Sequence, residues 1–433
     1  MTPDDAEGCV LGILTIEGGR PLYGTVTISG AKNGVLPLLA AAAAQSGSFR
    51  LENCPDLTDV SATADILRHL GCGVRRCGSA IEVDSRGLCC TQIPRTLMTR
   101  LRSSIIFLGA LLARCGNARL WLPGGCLIGL RPIDIHLNAL RQLGAQVEER
   151  NGEVICSASH MRGGEVSLSY PSVGATENLL LAGLRCPEGV TIRGAAREPE
   201  VAALARFLRK MGAEIRGEGT GCIRMNCRPL HGGVSFAVLP DRIETATYLC
   251  ALGSCGGKLR LEHTSPACLM PVLSVLRAAG MELSLRPDAI TAKCDELHAV
   301  DRIRTGPYPA FPTDAQAPVM AALLCAKGKT TVEETVFEHR FRHVDALRAM
   351  GADITVTDDR AVIRGVCRLH GADAAATDLR GGAAMVIAAL GAEGISRISE
   401  TQHIFRGYDS LCEKLSALGA RIALRGETLE EHT

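Results

Sequence analysis

The sequence predicts an α/β chain of two compact domains, each made of three strand-helix-strand-helix-strand-strand units. Three observations carry this. A helix ending in Leu-Gly-Ala or a close variant, followed by a short alternating strand, recurs six times at a period of roughly 70 residues. Between these, an Ala/Leu-rich helix, a glycine and a second strand recur with the same period. The 433 residues also exceed the roughly 250–300 at which one hydrophobic core stops growing.

The leading strand region runs to Ile28, ahead of the first repeat helix, and can pair with either half. The first signature reads His69-Leu70-Gly71-Cys72-Gly73-Val74 and Gln142-Leu143-Gly144-Ala145-Gln146-Val147, and returns with its glycine at Gly212, Gly280, Gly351 and Gly419. Glycine is expected there because the residue just past a helix C-terminus turns left-handed, where a side chain would clash. The second signature runs from Leu38 to Gly47 before Ser48-Phe49-Arg50-Leu51, and from Phe107 to Gly116 before Ala118-Arg119-Leu120-Trp121. Its other copies centre on Gly189, Gly257, Gly328 and Gly394. Each unit is thus a split βαβ pattern with helices over one face of each sheet. Solenoid repeats are mostly shorter, so two domains of three units are expected. The Gly/Pro-rich stretch Arg228-Pro229-Leu230-His231-Gly232-Gly233 is the natural place to change domains, and a cleft between them is the expected site.

Composition excludes several functions. Apolar residues make up 46% and charged residues 21%, a globular balance, and the 3% of aromatics leaves the core to aliphatic side chains. Lys plus Arg number 47 against 46 Asp plus Glu, so no excess charge draws the chain to nucleic acid or to a membrane surface. The longest apolar runs, Val35 to Ala44 and Ile105 to Ala113, fall short of the roughly 20 residues that span a bilayer. The acidic opening lacks the order of a secretory signal, so a cytoplasmic protein is expected. Nineteen cysteines are scattered without a Cys-x-x-Cys pair and are expected to serve as small core hydrophobes. Neither Cys89-Cys90 nor Cys72 with Cys77 has matching zinc ligands, so no metal is expected.

The six entries to the Ala/Leu-rich helices carry chemistry. They are Ser29-Gly30-Ala31-Lys32-Asn33, Arg102-Ser103-Ser104, Pro171-Ser172-Val173-Gly174-Ala175-Thr176, Pro240-Asp241-Arg242-Ile243-Glu244-Thr245, Pro312-Thr313-Asp314-Ala315-Gln316 and Thr377-Asp378-Leu379-Arg380. Their Ser, Thr, Asn and Asp residues suit helix capping. Capping does not explain Lys32, Arg102, Arg242 and Arg380, because a cation beside the positive end of a helix dipole is unfavourable unless an anion offsets it. Helix starts and cations converging on one cleft would form a phosphate or carboxylate trap; surface salt bridging is the alternative for any single one.

Between the strand ending at Leu122 and the helix near Ile133 lies Leu122-Pro123-Gly124-Gly125-Cys126-Leu127-Ile128-Gly129-Leu130-Arg131-Pro132-Ile133-Asp134. Three glycines around one cysteine suggest a mobile lid carrying a thiol, with Arg131 placed to lower its pKa or hold an anion beside it. A buried structural cysteine is the alternative.

With Ser29 to Asn33, these residues, namely the Pro123 to His136 loop, Ser172-Val173-Gly174-Ala175-Thr176, Ala195-Ala196-Arg197-Glu198-Pro199-Glu200, Leu239 to Thr245 and Phe311-Pro312-Thr313-Asp314-x-Gln316, closely resemble the UDP-N-acetylglucosamine 1-carboxyvinyltransferases. The resemblance runs from about Leu14 to Leu424, with the motifs in order. It implies two inside-out α/β barrels: one over residues 32–238 carrying the Cys126 lid, the other over 1–31 and 239–433. It also implies enolpyruvyl transfer from phosphoenolpyruvate to the 3-hydroxyl of UDP-N-acetylglucosamine, the first committed step of peptidoglycan synthesis, without metal or organic cofactor.

By the same resemblance Cys126 is the acid that protonates the enol methylene carbon, and Asp314 accepts or positions the hydroxyl proton. Lys32, Arg131 and Arg406 hold the anionic substrate, with Arg102 and Arg380 extending that field. The nucleotide-sugar positions are Asn33, Arg102, Arg131, Pro132, Ile133, Asp134, Ile135, Tyr170, Pro171, Ser172, Val173, Gly174 and Val336, with Arg340 and Asp378 nearby. Tyr170 stands where the family varies between Lys and an aromatic. Phe405 stands where family members commonly carry Asp, which implies that Arg406 lacks its local charge partner.

Two other functions stay open: an enolpyruvyl transferase for shikimate 3-phosphate, whose enzymes lack the cysteine lid, and a retired paralogue that binds a UDP-sugar without turnover. Gly328-Lys329-Thr330 is not a phosphate-binding loop, because it follows a helix and precedes a strand.

Overall fold

Six four-stranded sheets share a single strand order. The structure is a computed structural model, described here over residues 12–124, 133–159 and 161–426. In the third unit, Gly164–Ser167 runs parallel to Val190–Arg193. Cys222–Asn226 pairs antiparallel with that second strand, and Glu214–Arg216 closes the edge. Val190 and Ile192 point inward and alternate with more exposed neighbours, the period-2 pattern of a sheet with one buried face.

Three units borrow a strand. Leu22–Thr27 runs parallel to Gly257–Glu262 and supplies the first strand of the fourth unit. Val234–Ala237 does the same for Ser48–Glu52 of the first unit. Gly12–Glu17 lies antiparallel between Ile395–Ser399 and Arg421–Gly426, completing the sixth. The leading strand region therefore pairs with the second half of the chain. The two segments that carry this exchange run side by side: Ala31 N–H donates to the Leu239 carbonyl at 2.7 Å, and Asp241 N–H to that of Ser29 at 2.8 Å.

The repeat glycines do what the sequence asks of them. Gly71, Gly144, Gly212, Gly280, Gly351 and Gly419 all have φ between +93° and +113°, a region that a Cβ disfavours.

The Ala/Leu-rich helices are buried all round. Lys32–Ala43 is buried from Gly34 onward, and Leu379–Gly391 from Arg380 to Leu390. Such helices must pack on other helices. Phe107–Cys115 touches both Lys32–Ala43 and Val173–Ala182, while Arg242–Cys255, Gln316–Ala322 and Leu379–Gly391 all touch one another. Gly109 permits one close approach, since a Cβ there would lie 2.4 Å from the Asn178 carbonyl oxygen. The second helices are amphipathic: Pro199–Lys210 buries Val201, Leu204, Ala205 and Leu208 and leaves Arg206 and Lys210 in solvent. Buried apolar side chains form two clusters, one from Val35 to Val238, the other from Leu14 to Ile28 and from Ala246 to Ile422.

Two expectations need correction. Side chains cap only three of the Ala/Leu-rich helices: Ser172 accepts from Ala175 N–H, Asp241 from Ile243 and Glu244, and Asp378 from Arg380 and Gly381. The cysteines are also less buried than expected. Among the described residues Cys54, Cys72, Cys156, Cys186, Cys250 and Cys294 are buried, Cys89 and Cys367 are exposed, and the rest lie between. Most of the less buried ones lie on helix ends and loops, where a small thiol can sit half-exposed at little cost. No described helix is long and apolar enough to cross a membrane.

Candidate active site

Lys32 is the first residue of its helix, and its Nζ lies 2.9 Å from Asp59 Oδ2. Asp59 sits in the first turn of helix Thr58–His69, where the helix dipole favours a carboxylate, and is 4% exposed. Its other oxygen accepts from Arg406 Nε at 2.9 Å. Arg406 follows the short helix Gln402–Phe405 and belongs to the other half of the chain. Phe405 packs on the second apolar cluster, so Arg406 takes its partner from across the molecule and does not lack one.

Asp314 anchors a second group. Its Oδ1 accepts from Arg340 at 2.7 Å and its Oδ2 from Arg380 at 3.1 Å. Both arginines are nearly fully buried, whereas the Asp314 side chain keeps 30% of its surface open. A ligand can therefore reach the carboxylate but not the stems of the cations. Arg380 also donates to the Tyr408 hydroxyl at 3.1 Å, which lies 3.0 Å from Thr247 Oγ1. Asp314 does not cap its helix; the Thr313–Ala315 turn has no side-chain cap, because the carboxylate is turned to the arginines. Asp378 fixes Arg380 by capping the helix start from which it projects.

Electrostatics join the two groups. Burial pulls the Lys32 ammonium below its ordinary range; Asp59 opposes this, and Arg380 and Arg406 add to it. Burial alone would raise the Asp314 carboxyl, but Arg380, Arg340 and Lys32 together hold it well below the usual carboxylate range. Lys32, Arg340, Arg380 and Arg406 thus cluster around Asp59 and Asp314, with Asp241 and Asp378 beside Lys32 and Arg380. Lys32 and Arg406 keep N–H groups beyond those bonded to Asp59, which suits an anionic ligand.

Arg242 departs from this field. Its guanidinium is committed to Glu200, at 2.9 and 3.3 Å, and lies over the Tyr308 ring. Glu177 and Glu198 neighbour the pair; burial first, then the charges of Glu200 and Glu198, raise the Glu177 carboxyl well above its usual range. The anion expected beside the helix-start cations is therefore supplied by protein carboxylates at Lys32, Arg242 and Arg380.

A family described as EPSP synthase (3-phosphoshikimate 1-carboxyvinyltransferase) matches residues 16–415. UDP-N-acetylglucosamine 1-carboxyvinyltransferase 2 of Caldanaerobacter subterraneus subsp. tengcongensis is 45% identical over 414 residues, covering 95% of this chain and 99% of that protein. The chain belongs to the UDP-N-acetylglucosamine 1-carboxyvinyltransferase family of enolpyruvyl transferases. A second relative, from Gloeobacter violaceus, is 44% identical over 94% of this chain and 90% of its own length. Among solved structures, the enolpyruvyl transferase NikO from Streptomyces tendae superposes with a TM-score of 0.87 at 28% identity, covering 96% of this chain and all of that one. An EPSP synthase from Acinetobacter baumannii, at TM-score 0.73 and 19% identity over 95% of this chain and 99% of its own, shares the fold.

In this enolpyruvyl transferase the other sequence-predicted positions spread outward from the cations. Cys126, Arg131 and Pro132 lie outside the described residues. Ile133 is buried, Ile135 is half-buried, and Asp134 is exposed at the start of helix Asp134–Gln142. Arg102 Nη1 lies 3.5 Å from the Pro123 carbonyl. Asn33 is exposed beside Lys32. Pro171, Ser172, Val173 and Gly174 are half-buried at a capped helix start, and Gly174 gives room to the His136 ring. Tyr170 is 39% exposed, and burial with the charges of Glu198 and Glu334 raises its hydroxyl. Val336 N–H donates to Glu334 at 2.8 Å, so positions from both halves of the chain meet around that acid.

Sequence reading missed Asp59, Glu200 and Tyr408. A signal existed for the first two: Thr58-Asp59 and Pro199-Glu200 both open the second helix of a unit and so answer the cations that open the first helices. A surface groove of about 610 Å³ on the sheet of Ser48–Glu52 is lined by Arg50, Arg75, Glu82 and Asp84 and shares no residue with this site.

Proposed function

We propose that this chain transfers the enolpyruvyl group of phosphoenolpyruvate to the 3-hydroxyl of UDP-N-acetylglucosamine and releases phosphate, committing the sugar to peptidoglycan synthesis. The reading rests on one observation above all: Lys32, Arg340, Arg380 and Arg406 clustered around Asp59 and Asp314, in a chain 45% identical over nearly its whole length to a 1-carboxyvinyltransferase for that sugar. The two apolar clusters support two lobes, residues 32–238 and residues 1–31 with 239–433, read as inside-out α/β barrels of three units each, with the substrates between them.

The residues divide the work. Lys32, Arg131 and Arg406 hold the phosphate and carboxylate of phosphoenolpyruvate. Asn33, Arg102, the 131–135 segment, Tyr170 to Gly174 and Val336 hold the nucleotide sugar. Asp314 takes the proton of the 3-hydroxyl as its oxygen bonds to the central enol carbon, while Cys126 gives a proton to the methylene carbon. A thiol, with an ordinary pKa near 8.5, holds a transferable proton at neutral pH. The Cys126 thiolate then takes back a methyl proton as phosphate leaves with the proton held by Asp314, which restores the double bond and both groups. Arg340 and Arg380 keep Asp314 ionised and aimed. Phosphoenolpyruvate and a nucleotide sugar as substrates support a cytoplasmic site of action.

The test is phosphate release from phosphoenolpyruvate with each acceptor in turn. Release with UDP-N-acetylglucosamine is expected. Release with shikimate 3-phosphate alone would favour the sister enzyme, and none with either would favour a retired binding protein. Fosfomycin should add to Cys126, and mass spectrometry placing the adduct on another cysteine would remove that thiol from the mechanism.

A further inference from the structure

Asp59 touches Lys32 and Arg406, two of the three cations proposed to hold phosphoenolpyruvate, without being assigned to the reaction. Its Oδ2 takes Lys32 Nζ at 2.9 Å and Arg406 Nη2 at 3.4 Å, and its Oδ1 takes Arg406 Nε at 2.9 Å. Lys32 and Asp59 belong to the first half of the chain and Arg406 to the last thirty residues, so one carboxylate ties the two halves together at the substrate. We infer that Asp59 is a positioning residue for phosphoenolpyruvate capture, which keeps Lys32 an ammonium and sets it beside Arg406.

The surroundings of Lys32 make such a residue necessary. Its side chain is only 11% exposed. The charged groups facing it are Asp59, Arg380, Arg406 and Asp314, with Asp241 accepting from its backbone N–H at 3.3 Å. Desolvation and two guanidinium groups favour a neutral amine, and Asp314 is already committed to Arg340 and Arg380. Asp59 alone offers Lys32 a carboxylate at hydrogen-bond distance among the described residues. Burial opposes that charge, but Lys32 and Arg406 hold the Asp59 carboxyl below its ordinary range, and its place in the first turn of a helix favours the same form. An ammonium carries three N–H groups and Asp59 occupies one, so the others remain for an anion.

This role rests on the enolpyruvyl-transfer reading, and the experiment separates the two. Phosphate release by the full chain is measured at saturating UDP-N-acetylglucosamine, with phosphoenolpyruvate varied between about pH 6 and pH 9. If the parent chain releases no phosphate, the functional reading fails first. If it does, Asp59→Asn should have a kcat/KM for phosphoenolpyruvate within about threefold of the parent at the acidic end and more than about thirtyfold lower at the alkaline end, because Lys32 loses its proton earlier. The KM for the UDP-sugar should hold within about twofold, and Asp59→Glu should follow the parent profile. A loss equal at every pH, or none, would overturn the proposal. A second measurement does not depend on an Asp59 variant folding. The chain has seven lysines, so selective carbon labelling and NMR can follow the Lys32 signal in the parent, assigned by its disappearance in Lys32→Arg. A charged Lys32 at about pH 8 supports the role, and a neutral one refutes it.

Discussion

Asp314 shows how one residue can satisfy a sequence rule and do something else. A Thr-Asp pair leading into an apolar helix reads as a cap, but the carboxylate turns to Arg340 and Arg380 and the helix starts uncapped. The two readings predict different mutants. Asp314→Ser keeps a capping hydroxyl and would preserve stability if capping were the role. The ion pairs predict that Asp314→Ser and Asp314→Asn each cost about 3 kcal/mol, since two buried guanidinium groups lose their carboxylate, and lower turnover at least about a hundredfold. Urea melts and phosphate release check both effects. His343 is the converse case, a residue that no motif singles out. It is fully buried, with the Arg340 backbone as its hydrogen-bond neighbour among the described residues. Burial above all pushes its pKa down to about 4; the Asp378 charge opposes this, and the Arg340 charge adds to it. The unfolded chain takes up a proton near pH 6.5 while the folded chain resists until about pH 4. Stability should therefore drop as pH falls through that window, by on the order of 3 kcal/mol. His343→Leu should flatten this decline in urea melts at pH 7, 5.5 and 4.5.

At the scale of elements the sequence was most legible where local backbone geometry decides. The six Leu-Gly-Ala-like glycines could be placed because a positive φ past a helix end admits few other residues, and all six adopt it. Their substitution costs should nevertheless differ. A Cβ on Gly280, at φ +104°, meets nothing closer than 3.5 Å, so Gly280→Ala should lose only the conformational term, about 1–2 kcal/mol. A Cβ on Gly212, at φ +113°, would lie 2.8 Å from the Pro229 carbonyl oxygen, so Gly212→Ala should cost at least about 1 kcal/mol more. Paired denaturation midpoints decide this, and equal costs would mean that the Pro229 loop yields freely. Pairing partners were less legible. Nothing local to Val234–Ala237 says that it joins Ser48–Glu52 rather than the sheet of the helix that follows it. Likewise Asp59 and Arg406 meet across 347 positions, a separation at which propensity and spacing carry no information.

At the scale of the whole molecule, the paired segments near Ser29 and Leu239 join the two apolar cores, and Glu244 fastens them. Its Oε2 accepts from Ser29 N–H at 2.8 Å and its Oε1 from Lys414 at 2.6 Å, while Lys414 also reaches Ser29 Oγ at 2.6 Å. Burial outweighs Lys414 and raises the Glu244 carboxyl to about 7. For this acid the sign is opposite to that of His343. The unfolded chain releases its proton near pH 4.5 and the folded chain retains it until about 7, so the folded form binds more protons in between. Stability from this group therefore falls as pH rises through that window, again by on the order of 3 kcal/mol. The two buried groups tilt the molecule in opposite directions over nearly the same range, and the parent chain carries both slopes at once. Relative to the parent, Glu244→Gln should gain stability as pH is raised from about 4.5 to 7, and His343→Leu should gain it as pH is lowered over the same interval. Because no hydrogen bond or ion pair joins the two side chains among the described residues, the double variant should show the sum of the two changes within about 0.5 kcal/mol. Urea melts of all four proteins at each end of the interval measure this, and changes of the same sign in the two single variants would refute the opposed-slope account of the junction.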